Sequence, residues 1–125
     1  MQHILSFFLV FLGGGAGSLC RYGIALLCPV GAGRFPWATL LANLLACLVL
    51  GIVVGYYAGG AIGDQRRLLL ATGFCGGLST FSTFIVENWG LWQAGQAGLV
   101  ATNVALSLAL CAGCLILGLQ IAANH

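Results

Sequence analysis

Residues 73–84 read GFCGGLSTFSTF, and in this stretch the hydroxyl residues Ser79, Thr80, Ser82 and Thr83 are interleaved with Phe81 and Phe84. A row of hydroxyls offers O–H donors without charge, and a phenylalanine ring carries the positive part of its quadrupole at its edge. Such a lining suits a small anion, which must shed water without binding so tightly that it stalls, and few cations would prefer it. At helical spacing Phe81 and Phe84 share a face, and Thr80, Thr83 and Glu87 form a polar line beside them. The alternative is ordinary packing, with each hydroxyl returning to the carbonyl of the preceding turn and the rings filling space. Asn43, an amide donor expected at similar depth in another helix, favours the anion reading.

The same stretch weakens the helix that carries it. Gly76 and Gly77 each cost about 1 kcal/mol relative to alanine in a helix interior, and Ser79 and Thr80 add smaller penalties. A break near mid-span is expected, with the helix restarting at Phe81. Broken backbone at membrane depth is tolerated only where it is buried in protein or lines an aqueous cavity. Freed carbonyls at such a break meet a cation, and a helix N-terminus meets an anion.

Lipid has to be the solvent for the elements that position these groups. The chain of 125 residues is 61% hydrophobic and 5% charged, with a mean hydropathy of +1.08, whereas soluble domains carry roughly 25% charged residues. Apolar runs long enough to span a bilayer lie near 4–27, 37–58, 68–93 and 98–121, separated by CPVGAGRFP, GGAIGDQRR and the short QAGQAG. The expected fold is therefore an all-α membrane protein of four transmembrane helices, the third broken near its middle, in one membrane domain over 1–125. The N-terminal run has no basic flank and no small-residue cleavage site, so it reads as the first span and not as a signal peptide. The connection around QAGQAG is short enough to make the last two spans antiparallel neighbours.

Orientation is weakly encoded. The chain has no lysine; Arg66 and Arg67 fall on the side of the termini, Arg34 falls on the other, and Arg21 lies near the end of the first span. The positive-inside bias is close to nil. Either another signal sets the topology, or the chain inserts both ways up and works as an antiparallel, dual-topology homodimer.

Arg21 and Glu87 are the charges closest to membrane depth, which makes them candidates for a vestibule or a structural ion pair. Small residues recur every fourth position: Gly13 and Gly17 in the first span, Cys47, Gly51 and Gly55 in the second, Ser107, Cys111 and, less regularly, Gly118 in the fourth. They read as helix-packing stripes. The six cysteines fall mostly inside apolar runs and read as packing residues, not as a disulfide framework. The net charge of +2 and scattered arginines exclude a nucleic-acid surface. Phosphate-binding loop, catalytic-triad spacing and intramembrane carboxylate pair are all missing from the sequence, so an enzyme is not expected.

GFCGGLSTFSTF, taken with TLLANLLACLVLG around Asn43 and GGGAGSLCRYG in the first span, resembles the Fluc family of fluoride channels, also called CrcB-type proteins, over essentially the whole chain. The resemblance implies a passive fluoride channel that exports cytoplasmic fluoride and protects a bacterial cell, sited in the inner membrane as an antiparallel homodimer. It assigns the anion pathway to Asn43, Phe81, Ser82, Thr83 and Phe84, with Ser107 less securely, and matches Arg21 to the family's arginine. It also implies a structural sodium ion at the dimer interface, held by backbone carbonyls of Gly76 and Ser79 from both copies. Ser79 stands where threonine is commoner, and Asn103 stands where some members have tyrosine, which puts Asn103 outside the secure track. A proton-coupled small multidrug transporter would need a carboxylate in the first span, which has none. A non-transporting membrane assembly subunit would explain the glycine stripes but not the hydroxyl and phenylalanine run.

Overall fold

The computed structural model of the chain describes residues 1–31 and 33–125, with Gln2 described by its backbone alone. The first two spans are α1 (Gln2–Leu27) and α2 (Trp37–Ala58). The third is wound in pieces: α3 (Asp64–Arg67), a π-helical stretch (Leu68–Cys75), the single turn α4 (Gly76–Leu78) and, after two extended residues, α5 (Phe81–Gln93). The fourth is α6 (Ala97–Ala123). By length and composition the helices His3–Leu27, Trp37–Ala58, Asp64–Gln93 and Ala97–Ala123 can each cross a bilayer, with mean hydropathies of 1.7, 2.4, 1.5 and 2.3. The third helix starts at Asp64, before the expected Leu68, because DQRR is already wound beneath the apolar run.

Two glycines terminate spans in the same way. Gly60 after α2 and Gly95 after α5 both take φ +74°. Ala61 N–H then reaches back to the Tyr56 carbonyl and Gln96 N–H to that of Leu91, both at 2.9 Å. This is the left-handed cap that closes a helix and turns the chain at once, and a side chain would strain it.

The broad packing surfaces join alternate spans. α2 packs most extensively on α6, and α1 packs on the π-helical stretch and α4. Both pairings run parallel, since Gly51 of α2 faces Leu115 and Gly118 while Gly55 faces Leu119 and Ala122. On α1, Gly13 lies against Leu69, Gly73 and Phe74, and Gly17 lies against Phe74 and Leu78. A Cβ at Gly13, Gly17, Gly51, Gly77 or Gly118 would collide with backbone of the neighbouring helix. The expected stripes are thus contact lines between backbones, which is how helices associate when lipid removes the hydrophobic drive. The third and fourth spans are antiparallel neighbours as expected, yet α5 and α6 touch over a smaller area.

A core of Ala42, Ala46 and Leu78, flanked by Ile24 and Phe74, sits directly behind the interrupted span. Small residues on α2 let Leu78 enter between helices and hold the chain just before the break. Phe74 belongs to this packing and not to the site.

Candidate ion pathway

The interruption lies beyond the glycine pair. Gly76 and Gly77 are helical, and the extended residues are Ser79 (φ −73°, ψ 154°) and Thr80 (φ −151°, ψ 115°). Of the four residues expected to weaken the helix, the glycines stay wound and the two hydroxyl residues carry the break. Gly77 instead brings α4 against the Gly14 backbone of α1, while Gly76 faces open space within the chain. What ends the helix is Leu78 entering the core, and what starts the next is Thr80. Its Oγ1 accepts the Thr83 N–H at 3.2 Å and its hydroxyl donates to Thr83 Oγ1 at 2.9 Å, the usual way a threonine caps a helix N-terminus.

Asn43 clasps the break. Thr80 N–H donates to Asn43 Oδ1 at 2.7 Å, and Asn43 Nδ2 donates to the Thr80 carbonyl at 3.2 Å. The amide thus pairs with both backbone groups of one residue, as a neighbouring strand would. Two carbonyls that an unbroken helix would pair are left without those donors. The N–H that would serve Gly76 is that of Thr80, now bound to Asn43, and the N–H that would serve Ser79 is that of Thr83, now bound to the Thr80 side chain. A third carbonyl, that of Gly77, accepts from Arg21 Nε at 3.0 Å. The guanidinium sits at the negative end of the broken helix, where a cation is favoured.

Two cavities of about 430 Å³ each flank the break and share Thr80. One is lined by Arg21, Thr39, Thr83 and Glu87; the other by Asn43, Ser79, Phe81, Phe84 and Ser107. The residues expected to act together are therefore divided: Thr83 lines one cavity with Arg21 and Glu87, and Asn43, the two rings and Ser107 line the other. Ser82 is exposed on the first turn of α5, its Oγ 3.5 Å from Thr80 Oγ1. The Phe81 and Phe84 rings lie 5.9 Å apart at 30°. Phe81 is 75% exposed, so most of its surface awaits lipid or another chain.

Glu87 is half-buried and accepts from Thr39 Oγ1 at 2.8 Å through Oε1. Its Oε2 is buried without a hydrogen-bond partner among the described residues. Thr39 continues the every-fourth-residue stripe of Cys47, Gly51 and Gly55 toward the start of the second span, and nothing in that spacing identifies Glu87 as its partner.

A polar ladder links α5 to α6 and includes Asn88, which sequence reasoning missed. Asn88 Nδ2 donates to the Phe84 carbonyl at 2.9 Å, Asn103 Nδ2 donates to Asn88 Oδ1 at 3.1 Å, and Ser107 Oγ donates to Asn103 Oδ1 at 3.2 Å. The orientation propagates from one end: a carbonyl can only accept, so each amide in turn is fixed, and Ser107 must donate. Its proton is spent on Asn103, and its lone pairs remain for the cavity. Asn103 is 1% exposed and belongs to the helix interface, not to a cavity wall. Ser107→Ala should therefore cost about 1 kcal/mol of stability by leaving Asn103 short of a donor, while ion flux changes by less than about threefold. Detergent melting and liposome flux check this; a flux loss of about tenfold or more would mean that the hydroxyl serves the ion.

The family model for the CrcB-like protein, Camphor Resistance (CrcB), matches residues 8–119. Among curated relatives, a protein of Chlorobaculum tepidum is 42% identical over 98% of this chain and 95% of its own length. One of Desulfotalea psychrophila is 39% identical over 90% of this chain and 91% of its own, and one of Pyrococcus horikoshii is 43% identical over 80% and 81%. All three are named fluoride-specific ion channel FluC.

Proposed function

The chain belongs to the CrcB-like protein family, and we infer that it conducts fluoride passively across a membrane, a reading supported by relatives named fluoride-specific ion channels. It is a multi-pass membrane protein and a channel, not an enzyme. The observation that carries the reading is the break at Ser79–Thr80, clasped by Asn43 with Phe81 and Phe84 beside it. The positive end of α5 opens there. Its first-turn N–H groups at Phe81 and Ser82 have no carbonyl of the preceding turn to bind, and with the ring edges they form a lining that is electropositive yet uncharged. An anion passing it exchanges some hydration for these donors without meeting a fixed countercharge that would trap it. The route runs between the two cavities past Thr80, with Thr83, Ser82 and Arg21 toward one mouth.

Direction follows from the membrane potential and needs no coupling. Fluoride enters a cell as neutral HF from acid surroundings and ionises inside. An inside-negative potential favours exit of the anion by about 2.3 kcal/mol per 100 mV. We place the protein in the bacterial inner membrane, where an open pathway alone protects the cell. Expression in a fluoride-sensitive strain should raise the fluoride concentration that permits growth; unchanged sensitivity with the protein inserted would count against the reading.

The working unit of this proposal is an antiparallel homodimer in lipid. A second copy would cover Phe81 and the open side of Gly76, and the near-zero arginine bias allows both insertions. At its centre the carbonyls of Gly76 and Ser79 fit a structural sodium ion, since both have lost their helix donors to Asn43 and Thr80. The ion would supply positive charge for those carbonyls and hold the halves together. Adding two lysines to the 59–63 loop should strand every copy in one orientation and remove activity; coexpression with a partner biased the other way should restore it. Full activity of the lysine variant alone would exclude the antiparallel unit.

A further inference from the structure

Cys47 of α2 and Cys111 of α6 both line the cavity that holds Asn43, Phe81, Phe84 and Ser107. Each lies one helical turn before a point where the two backbones nearly touch, Gly51 against the Leu115 carbonyl. Parallel packing therefore brings the two side chains to one level of the same cavity wall. Both are free thiols. The order of cysteines along the chain gives no hint of this pair, because the partner comes from another helix.

The pair has a definite ligand chemistry. Among the described residues no group of three or more His, Cys, Asp or Glu side chains is arranged to hold a metal. Zinc, which takes four ligands in structural sites, is thereby disfavoured, as are hard cations that prefer oxygen. A cation satisfied by two soft sulfur donors is what such a pair of thiols suits.

We propose that Cys47 and Cys111 form a two-thiol site for a soft cation of the Ag(I), Cu(I) or Hg(II) kind on the wall of this cavity, and that its occupancy obstructs the ion pathway. Binding is a proton exchange without redox change: Hg(II) bound by both sulfurs gives an S–Hg–S bridge and releases two protons. The obstruction rests on the reading of the cavity as the fluoride route, whereas the binding does not.

The test uses the full chain with Cys20, Cys28 and Cys114 replaced by alanine, leaving Cys47, Cys75 and Cys111. Hg(II) titrated into this protein in detergent should produce sulfur-to-mercury absorbance saturating at one metal and two protons released per chain, and Zn(II) should produce no proton release. Cys47→Ala or Cys111→Ala should weaken binding by at least about 100-fold, and Cys75→Ala by less than about threefold. Serine at 47 or 111 keeps the side-chain size and should reproduce the alanine result, which separates ligand loss from altered packing. Equal mercury binding with and without the pair would overturn the site. In liposomes, Hg(II) should cut fluoride flux at least about tenfold relative to the same untreated protein, and excess dithiol should restore it. Binding without loss of flux would overturn the obstruction, and absence of flux before mercury is added would instead overturn the channel reading.

Discussion

Asn43→Ala should lower fluoride flux by at least about tenfold and destabilise the protein by about 2 kcal/mol. The substitution deletes both bonds to part-buried Thr80, and a polar group left unpaired away from water costs about 1–3 kcal/mol. The effect extends past that pair. With its N–H released, Thr80 is free to return to the Gly76 carbonyl, which would begin to close the break and move the cap that starts α5. Asn43→Asp separates the clasp from the lining. It keeps the acceptor for the Thr80 N–H but sets a carboxylate oxygen against the Thr80 carbonyl and a negative charge on the wall of an anion route. Aspartate should therefore remove flux as completely as alanine does. Initial efflux rates from liposomes and melting in detergent measure both; flux within about twofold of the parent in Asn43→Ala would show that the clasp is dispensable.

Gly17→Ala should add a strongly damaging methyl to α1. Its Cβ would collide with the Phe74 carbonyl and the Leu78 amide nitrogen, backbone atoms that hold the chain just before the break. Backbone cannot give way as a side-chain end can, so a cost of about 2–3 kcal/mol is expected, with flux lost as α4 is pushed off α1. Gly15→Ala is the matched control, since nothing in the chain lies within 4 Å of its Cβ. Both changes gain about 1 kcal/mol of helix propensity, so opposite signs in the two melting shifts isolate the packing. A Gly17→Ala protein as stable as Gly15→Ala would refute the close backbone approach.

Much of this architecture is legible in the sequence because lipid imposes simple demands. Apolar length locates four spans, and the glycine stripes locate the contact lines, since only small residues let backbones meet where there is no hydrophobic drive. The restart at Phe81 is legible too, because Thr80 is a good cap. The position of the break is less so: local propensity points to Gly76 and Gly77, whereas tertiary contacts decide it, through Leu78 in the core and Asn43 on Thr80. The π winding of Leu68–Cys75 leaves no mark in an apolar run without proline. The partnerships Thr39–Glu87, Arg21–Gly77 and Asn88–Asn103 join residues far apart in the chain, and polar residue type alone cannot say which pairs meet.

The division of the site into two cavities changes the roles of its members. Arg21 and Glu87 lie with Thr83 on one side of Thr80, where charge can gather ions at a mouth. In the proposed channel, discrimination between anions falls to the uncharged side, with Asn43 and the two rings. A lining of ring edges and backbone N–H groups favours a small anion that can approach closely, and it penalises a larger one that cannot.

Anion efflux from liposomes containing the purified protein, driven by an imposed outward gradient and followed in parallel for fluoride and chloride, tests this central claim most directly. Fluoride should leave rapidly without any coupling ion or nucleotide, and chloride should stay at the rate of protein-free vesicles. Absence of fluoride efflux, or equal efflux of the two halides, would contradict the account.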